Sequence, residues 1–157
     1  MKWKFAALMV LVVVFTFQCS HYDELQKNGR ESSASGGSHN VGQDCMSCHN
    51  QHGNEAITEG GWWNIAGSVF SDDGDAPFSN AKIELWSKPD REGTLYYTLE
   101  VDQNGNFYTE KIVKYNGSCF PVVVNLETGD YESMSSAYRS GGCNSCHGVS
   151  TDRIYVE

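Results

Sequence analysis

Leu95-Tyr96-Tyr97-Thr98-Leu99-Glu100-Val101, then Asp102-Gln103-Asn104-Gly105-Asn106, then Phe107-Tyr108-Thr109-Glu110-Lys111-Ile112, is the stretch that decides the fold. Leu95, Tyr97, Leu99 and Val101 alternate with Tyr96, Thr98 and Glu100, the period-two pattern of a strand with one face buried. The Asp/Asn/Gly pentapeptide is turn chemistry, and Phe107 starts a returning strand. Outward toward the N-terminus, Ile65, Gly67 and Val69 alternate with Ala66, Ser68 and Phe70, and Ile83 and Leu85 with Lys82, Glu84 and Trp86. Outward toward the C-terminus, Cys119 to Leu126 reads as a further strand, with Pro121 predicting a sheet edge or a bulge. Short strands at regular spacing predict a mainly β fold, an antiparallel β-sandwich over about residues 62–126, with little helix.

Ala66-Gly67-Ser68-Val69-Phe70, then Pro77-Phe78-Ser79-Asn80-Ala81-Lys82-Ile83-Glu84-Leu85, then Asp102-Gln103-Asn104-Gly105-Asn106-Phe107 resemble the transthyretin-like, carboxypeptidase-regulatory type of sandwich. That resemblance implies a rigid, non-catalytic scaffold.

Two further motifs bracket the strands. Cys45-Met46-Ser47-Cys48-His49 and Cys143-Asn144-Ser145-Cys146-His147 both have the Cys-x-x-Cys-His spacing that attaches c-type haem. In a chain of this composition the pattern is expected by chance about 0.007 times. The motifs therefore predict two haem c groups, held by Cys45, Cys48, Cys143 and Cys146, with His49 and His147 as proximal iron ligands. A short helical turn is expected near residues 44–50. With His39-Asn40-Val41-Gly42-Gln43-Asp44 leading into the first motif and Met134-Ser135-Ser136 upstream of the second, the chain resembles small exported dihaem cytochromes that carry such a sandwich between two CxxCH motifs.

The N-terminus agrees with an exported protein. Lys2 and Lys4 precede an apolar run from Phe5 to Phe17, the length of a signal-peptide core and too short to span a bilayer as a helix. Residues 1–18 read as a signal peptide. Cys19 stands where a lipoprotein signal places its lipidated cysteine, although Thr16-Phe17-Gln18 is a poor lipobox. A diacylglyceryl-type anchor there would hold the chain on a membrane. Residues 19–40, ending near Ser32-Ser33-Ala34-Ser35-Gly36-Gly37-Ser38, read as a flexible linker, and residues 41–157 as one domain. Of six cysteines, four belong to the motifs and one to the lipobox candidate. Cys119 is left as a small buried hydrophobe.

Loss of Lys2 and Lys4 with the leader takes the formal charge from −9 to −11. Such an acidic chain argues against nucleic acid and anionic headgroups as partners, and suits other redox proteins with basic surfaces. Self-association is a further expectation, since haems at opposite poles would let subunits make a conducting chain.

A sixth ligand on each iron separates electron transfer from small-molecule chemistry. Met9 leaves with the signal. Met46, inside the first motif, is expected to pack. His52, three residues after His49, projects from the same side and would serve the other haem or solvent. His21 lies in the linker. His39 stands six residues before Cys45, with Gly42 between them to bend the chain, a span that reaches roughly 20 Å when extended. Met134 stands nine residues before Cys143, with Gly141-Gly142 intervening. His39 and Met134 are the candidate distal ligands of the first and second iron.

These observations favour an electron carrier at or outside the cell envelope over an enzyme. The alternative is a haem enzyme or sensor with one open iron, reducing peroxide or binding a gas, and Arg139 is then a polar neighbour of the second haem. Two readings dispense with haem: a tetrahedral zinc site made by the four motif cysteines, and a thiol oxidoreductase, which lacks the βαβ setting it needs.

Overall fold

The computed structural model describes residues 26–50, 61–73, 76–114, 116–138 and 140–157. Among these, seven strands are β1 (Ile65–Phe70), β2 (Ala81–Trp86), β3 (Leu95–Glu100), β4 (Asn106–Thr109), β5 (Phe120–Asn125), β6 (Tyr131–Ser133) and β7 (Ile154–Tyr155). They form a three-stranded sheet, β4-β1-β7, and a four-stranded sheet, β3-β2-β5-β6. Apolar side chains from both sheets make one core, with Ile65 and Val69 of β1, Ile83 and Leu85 of β2, Phe107 of β4 and Val123 of β5 at its centre. Each such side chain contributes about 1.5–3 kcal/mol by leaving water. The mainly β, two-sheet sandwich is the fold the alternation predicts, and the described residues contain no helix long and apolar enough to cross a membrane.

The structure departs from the sequence pattern in four ways that bear on the site. First, the strand with the cleanest alternation is a sheet edge. Only Leu99 of β3 is buried, and Leu95 is 43% exposed. Second, Pro121 lies in an interior strand, between β2 and β6, and not at an edge. β6 pairs only with Val122 to Val124, so the missing Pro121 N–H costs no ladder bond, and its carbonyl accepts from Met134 N at 3.0 Å.

Third, the sandwich runs past Leu126. β6 and β7 lie beyond that limit, and β7 pairs with β1 in parallel, Val69 with Ile154 and Phe70 with Tyr155. A parallel partner needs a long crossover, and the last leg of the one from β1 to β7, between β6 and β7, contains the second motif. Two residues are too few to show a period.

Fourth, the expected linker is described from residue 26 on, and there it is strapped to the sandwich. Ser32 is buried, its N–H donates to Tyr108 O at 3.0 Å, and its hydroxyl donates to Glu100 O at 2.5 Å. Glu31 accepts from Thr109 Oγ1 at 2.9 Å, pairs with Lys111 at 2.5 Å and takes the Tyr97 hydroxyl. Ser and Glu side chains here satisfy the open edges of β3 and β4, which a composition count reads as solvation. The expected signal peptide over 1–18 lies outside the described residues, as do Cys19, His21, His52 and Arg139.

β1 positions the site. All six of its residues are buried: Ile65, Gly67 and Val69 face the core, and the opposite face, Ala66, Ser68 and Phe70, is covered by the segments that lead into the two motifs.

Candidate functional site

Each motif folds into one tight turn. A 3-10 helix runs over Cys45–Ser47 and another over Cys143–Ser145. Asp44 caps the first, its carboxylate accepting from Met46 N at 3.1 Å, because an Asp side chain supplies the acceptor that the opening N–H groups lack. The backbone N–H of His49 donates to Cys45 O at 2.9 Å, and that of His147 to Cys143 O at 3.0 Å. One turn thus stacks each histidine above the first cysteine of its motif, while Cys48 and Cys146 are exposed.

The two histidines present the same chemistry. His49 Nδ1 lies 3.3 Å from Gly61 O, and His147 Nδ1 lies 2.8 Å from Asp152 O. A carbonyl only accepts, so Nδ1 is the donor, and the neutral ring in that tautomer has its lone pair on Nε2, the form in which an imidazole ligates a metal with its outer hydrogen bond in place. His49 Nε2 is buried without a hydrogen-bond partner. A buried, unpaired acceptor costs about 1–3 kcal/mol, a cost that a bond to iron would remove.

His39 is a neighbour of His49. Its ring centroid is 6.0 Å from that of His49, at 36° between planes. Two imidazoles on opposite sides of one metal, each nitrogen about 2 Å from it, have centroids roughly 6 Å apart. Gly42 makes this approach: φ is +76°, and its bare Cα packs on the Phe70 ring, where a Cβ would come within 3.1 Å. His49 also stacks on Trp63 at 3.6 Å and 1°, and Trp63 stacks on Tyr108 at 4.3 Å. Trp63 Nε1 is a second buried atom without a partner.

The second motif borders a cavity of about 530 Å³. Cys143, Cys146, His147 and Met134 line it, and Ile83, Leu85 and Phe107 of the core give it an apolar floor. Met134 is half-buried there, so the structure brings Met134 and His147 to one chamber. Arg153, which the sequence reading did not single out, lines the same chamber and lies over the Phe70 ring at 4.4 Å. The size and apolar floor suit a flat macrocycle.

The motifs themselves are neighbours. Gly142 forms a parallel bridge with Ala66, and a Cβ on it would meet Met46 Cγ at 3.1 Å and Asp44 Oδ1 at 3.3 Å. Met46 therefore packs, as its place inside the loop implies. Asn144 of the second motif donates to Gln43 O at 2.9 Å, just ahead of the first.

The alternatives without haem find less support. Among the described residues, which include all four motif cysteines, no three His, Cys, Asp or Glu side chains converge as a metal site. Burial pushes the Cys45 thiol up to about 11 and the Cys143 thiol up to about 12, the opposite of the lowered value a redox-active CxxC pair uses. Cys119 is buried in the core, and that burial pushes it up to about 11.

Comparison with protein-family models, with curated proteins and with solved structures returned no match. The functional reading rests on this chain's own residues.

Proposed function

We propose that this chain is an exported dihaem c-type cytochrome, anchored through Cys19 or cleaved near it, that passes single electrons between redox partners at or outside the cell envelope. The observation that supports the reading is the pairing at the first motif: His49 Nε2 is buried and unpartnered, and the His39 ring centroid lies 6.0 Å from that of His49.

Each bound haem supplies an iron that takes up and gives back one electron. The chain does the rest. Cys45 and Cys48, and Cys143 and Cys146, each supply the two thioether links of one porphyrin edge. His49 and His147 ligate through Nε2, their Nδ1 protons held by Gly61 O and Asp152 O. His39 would close the first iron, leaving small molecules no open position there. Met134 is the candidate for closing the second, and a thioether in place of an imidazole raises a haem's potential. Such unlike ligand sets would order the two centres downhill. The sandwich is the non-catalytic frame that its transthyretin-like resemblance implies, and the acidic surface suits partners with basic contact faces.

Absorption spectra of the purified protein, with a haem-stained gel, test this. A covalent c-type spectrum that does not change when CO is added to the reduced form is the expected result. CO binding at half the haems would move the function to the open-iron alternative, and a chain without covalent haem would refute both.

A further inference from the structure

We propose that Asn144, which lies between the two cysteines of the second motif, is a positioning residue for His39 at the first. This inference rests on the dihaem reading above.

Three side chains on the outer face of β1 make one buried chain of hydrogen bonds. Asn144 is 3% exposed, Ser68 is 0% and Asn106 is 3%. Asn144 Nδ2 donates to Gln43 O at 2.9 Å and to Ser68 Oγ at 3.0 Å, and its Oδ1 accepts from Ser68 N at 3.1 Å. Ser68 Oγ also accepts from Gly42 N at 2.9 Å and donates to Asn106 Oδ1 at 2.6 Å. Asn106 Nδ2 then donates to His39 O at 3.3 Å and to Ser38 Oγ at 3.0 Å.

The side-chain donors of the network have no spare capacity. A serine hydroxyl gives one proton and accepts two, and a carboxamide nitrogen gives two. Ser68 Oγ and Asn144 Nδ2 use all of theirs. A fully satisfied buried network holds one geometry and penalises others.

What it holds is the run from Ser38 to Gln43, which has no regular secondary structure of its own. His39 O, Gly42 N and Gln43 O are its attachments to the network, and Ser38 is further tied to Asp102 Oδ2 by its N–H at 2.8 Å and its hydroxyl at 2.6 Å. His39 itself is exposed, so its backbone, and not packing around its ring, keeps it facing His49. Asn144 supplies the only link in this network that comes from the second motif. Without it, Ser68 N is left buried and unpaired, Gln43 O loses its bond to the second motif, and the run can slacken away from His49.

The test uses the full exported chain with both haems attached, checked by mass. His39→Ala gives the CO difference spectrum of the first centre open, and Met134→Ala that of the second. In Asn144→Ala we expect CO to bind at the first centre, with the His39→Ala signature, about tenfold or more above the unaltered protein, the factor that one buried hydrogen bond left unmade supplies. Ser145→Ala, in the same motif but bonded to Gly142 O at 2.6 Å within its own turn, should leave that centre closed. Should Asn144→Ala fail to accumulate, Asn106→Asp keeps the acceptor for Ser68 and removes the donor to His39 O, and it should open the same centre. Unchanged CO binding in a two-haem Asn144→Ala protein overturns the proposal, as does CO binding with the Met134→Ala signature. Absence of covalent haem from the unaltered protein overturns it together with the dihaem reading.

Discussion

Gly67→Ala adds one methyl group where β1 meets both the core and the second motif. The new carbon would stand 2.6 Å from Phe107 Cζ and 2.9 Å from Cys143 Cβ. Carbon atoms in contact sit about 3.5–4.0 Å apart, so the shortfall is close to an ångström on two sides at once. Phe107 is 1% exposed and is packed into the core between the sheets. Cys143 follows a backbone held by Ala66 N donating to Gly141 O at 2.8 Å. Neither neighbour is the loose end of a flexible side chain. Overpacking costs about 1–3 kcal/mol, and two clashes with fixed atoms put this one near 3 kcal/mol, which lowers Tm by about 10 °C in a chain of this size. Thermal unfolding followed by circular dichroism reads it. Gly129→Ala is the comparison: a Cβ there meets nothing within 4 Å and bears only the strain of φ +83°, about 1 kcal/mol. A Tm for Gly67→Ala within about 2 °C of the unaltered protein would refute the placement of the second motif against β1.

Met134→Ala should lower the potential of one haem and let CO bind at that haem alone; a redox titration with both potentials unchanged would remove Met134 from the second centre. Burial alone would raise the Glu84 carboxyl, but hydrogen bonds from Lys82, Trp86 and Arg91 and the charge of Lys82 outweigh it and hold the group below the usual range. Its contribution is therefore complete above the unfolded value near 4.5 and lost as pH falls through the lower folded value. Glu84→Gln should cost about 1–3 kcal/mol at neutral pH and flatten the acid limb of Tm against pH, and an unchanged limb would count against the cluster. In the chain before haem attachment, an alkylating reagent at neutral pH should modify exposed Cys48 and Cys146 first and buried Cys119 only on unfolding. Mass spectra over time that showed Cys119 labelled as fast as Cys48 would contradict the core assignment.

Much of this was legible in the chain. Alternation located β1, β2 and β3 to within a residue because each has one face on the core, and the Cys-x-x-Cys-His spacing located the turns because that geometry is local. That His39 could come back to His49 was legible from distance along the chain and an intervening glycine. Trp63 was not, because it precedes the periodic stretch and no local pattern says that it will stack on His49. Ser68 and Asn144 were hidden for a different reason: a polar residue on the outward face of a strand, or inside a loop, reads as solvated until a second layer is known to cover it. The one local sign was Gly67, since glycine inside a strand marks the close approach of another piece of chain. The strap at residues 30–39 and β7 owe their positions to edges made elsewhere, and nothing within them announces it.

The parallel pairing of β7 with β1 also sets an order of events. Val69 meets Ile154, and Ala66 meets Gly142, only after almost the whole chain has emerged. Pairings so distant in sequence form late, on a scale of milliseconds to seconds, because the loop must close before any contact rewards it. The second Cys-x-x-Cys-His stretch lies inside that loop, so on the dihaem reading it would remain an accessible, unfolded substrate for haem attachment until the last strand docks. The first stretch precedes every described strand and would be available earlier. Maturation of the two proposed centres would thus be staggered by topology, with the second motif the last to be fixed and, on the Asn144 proposal, the piece that completes the first.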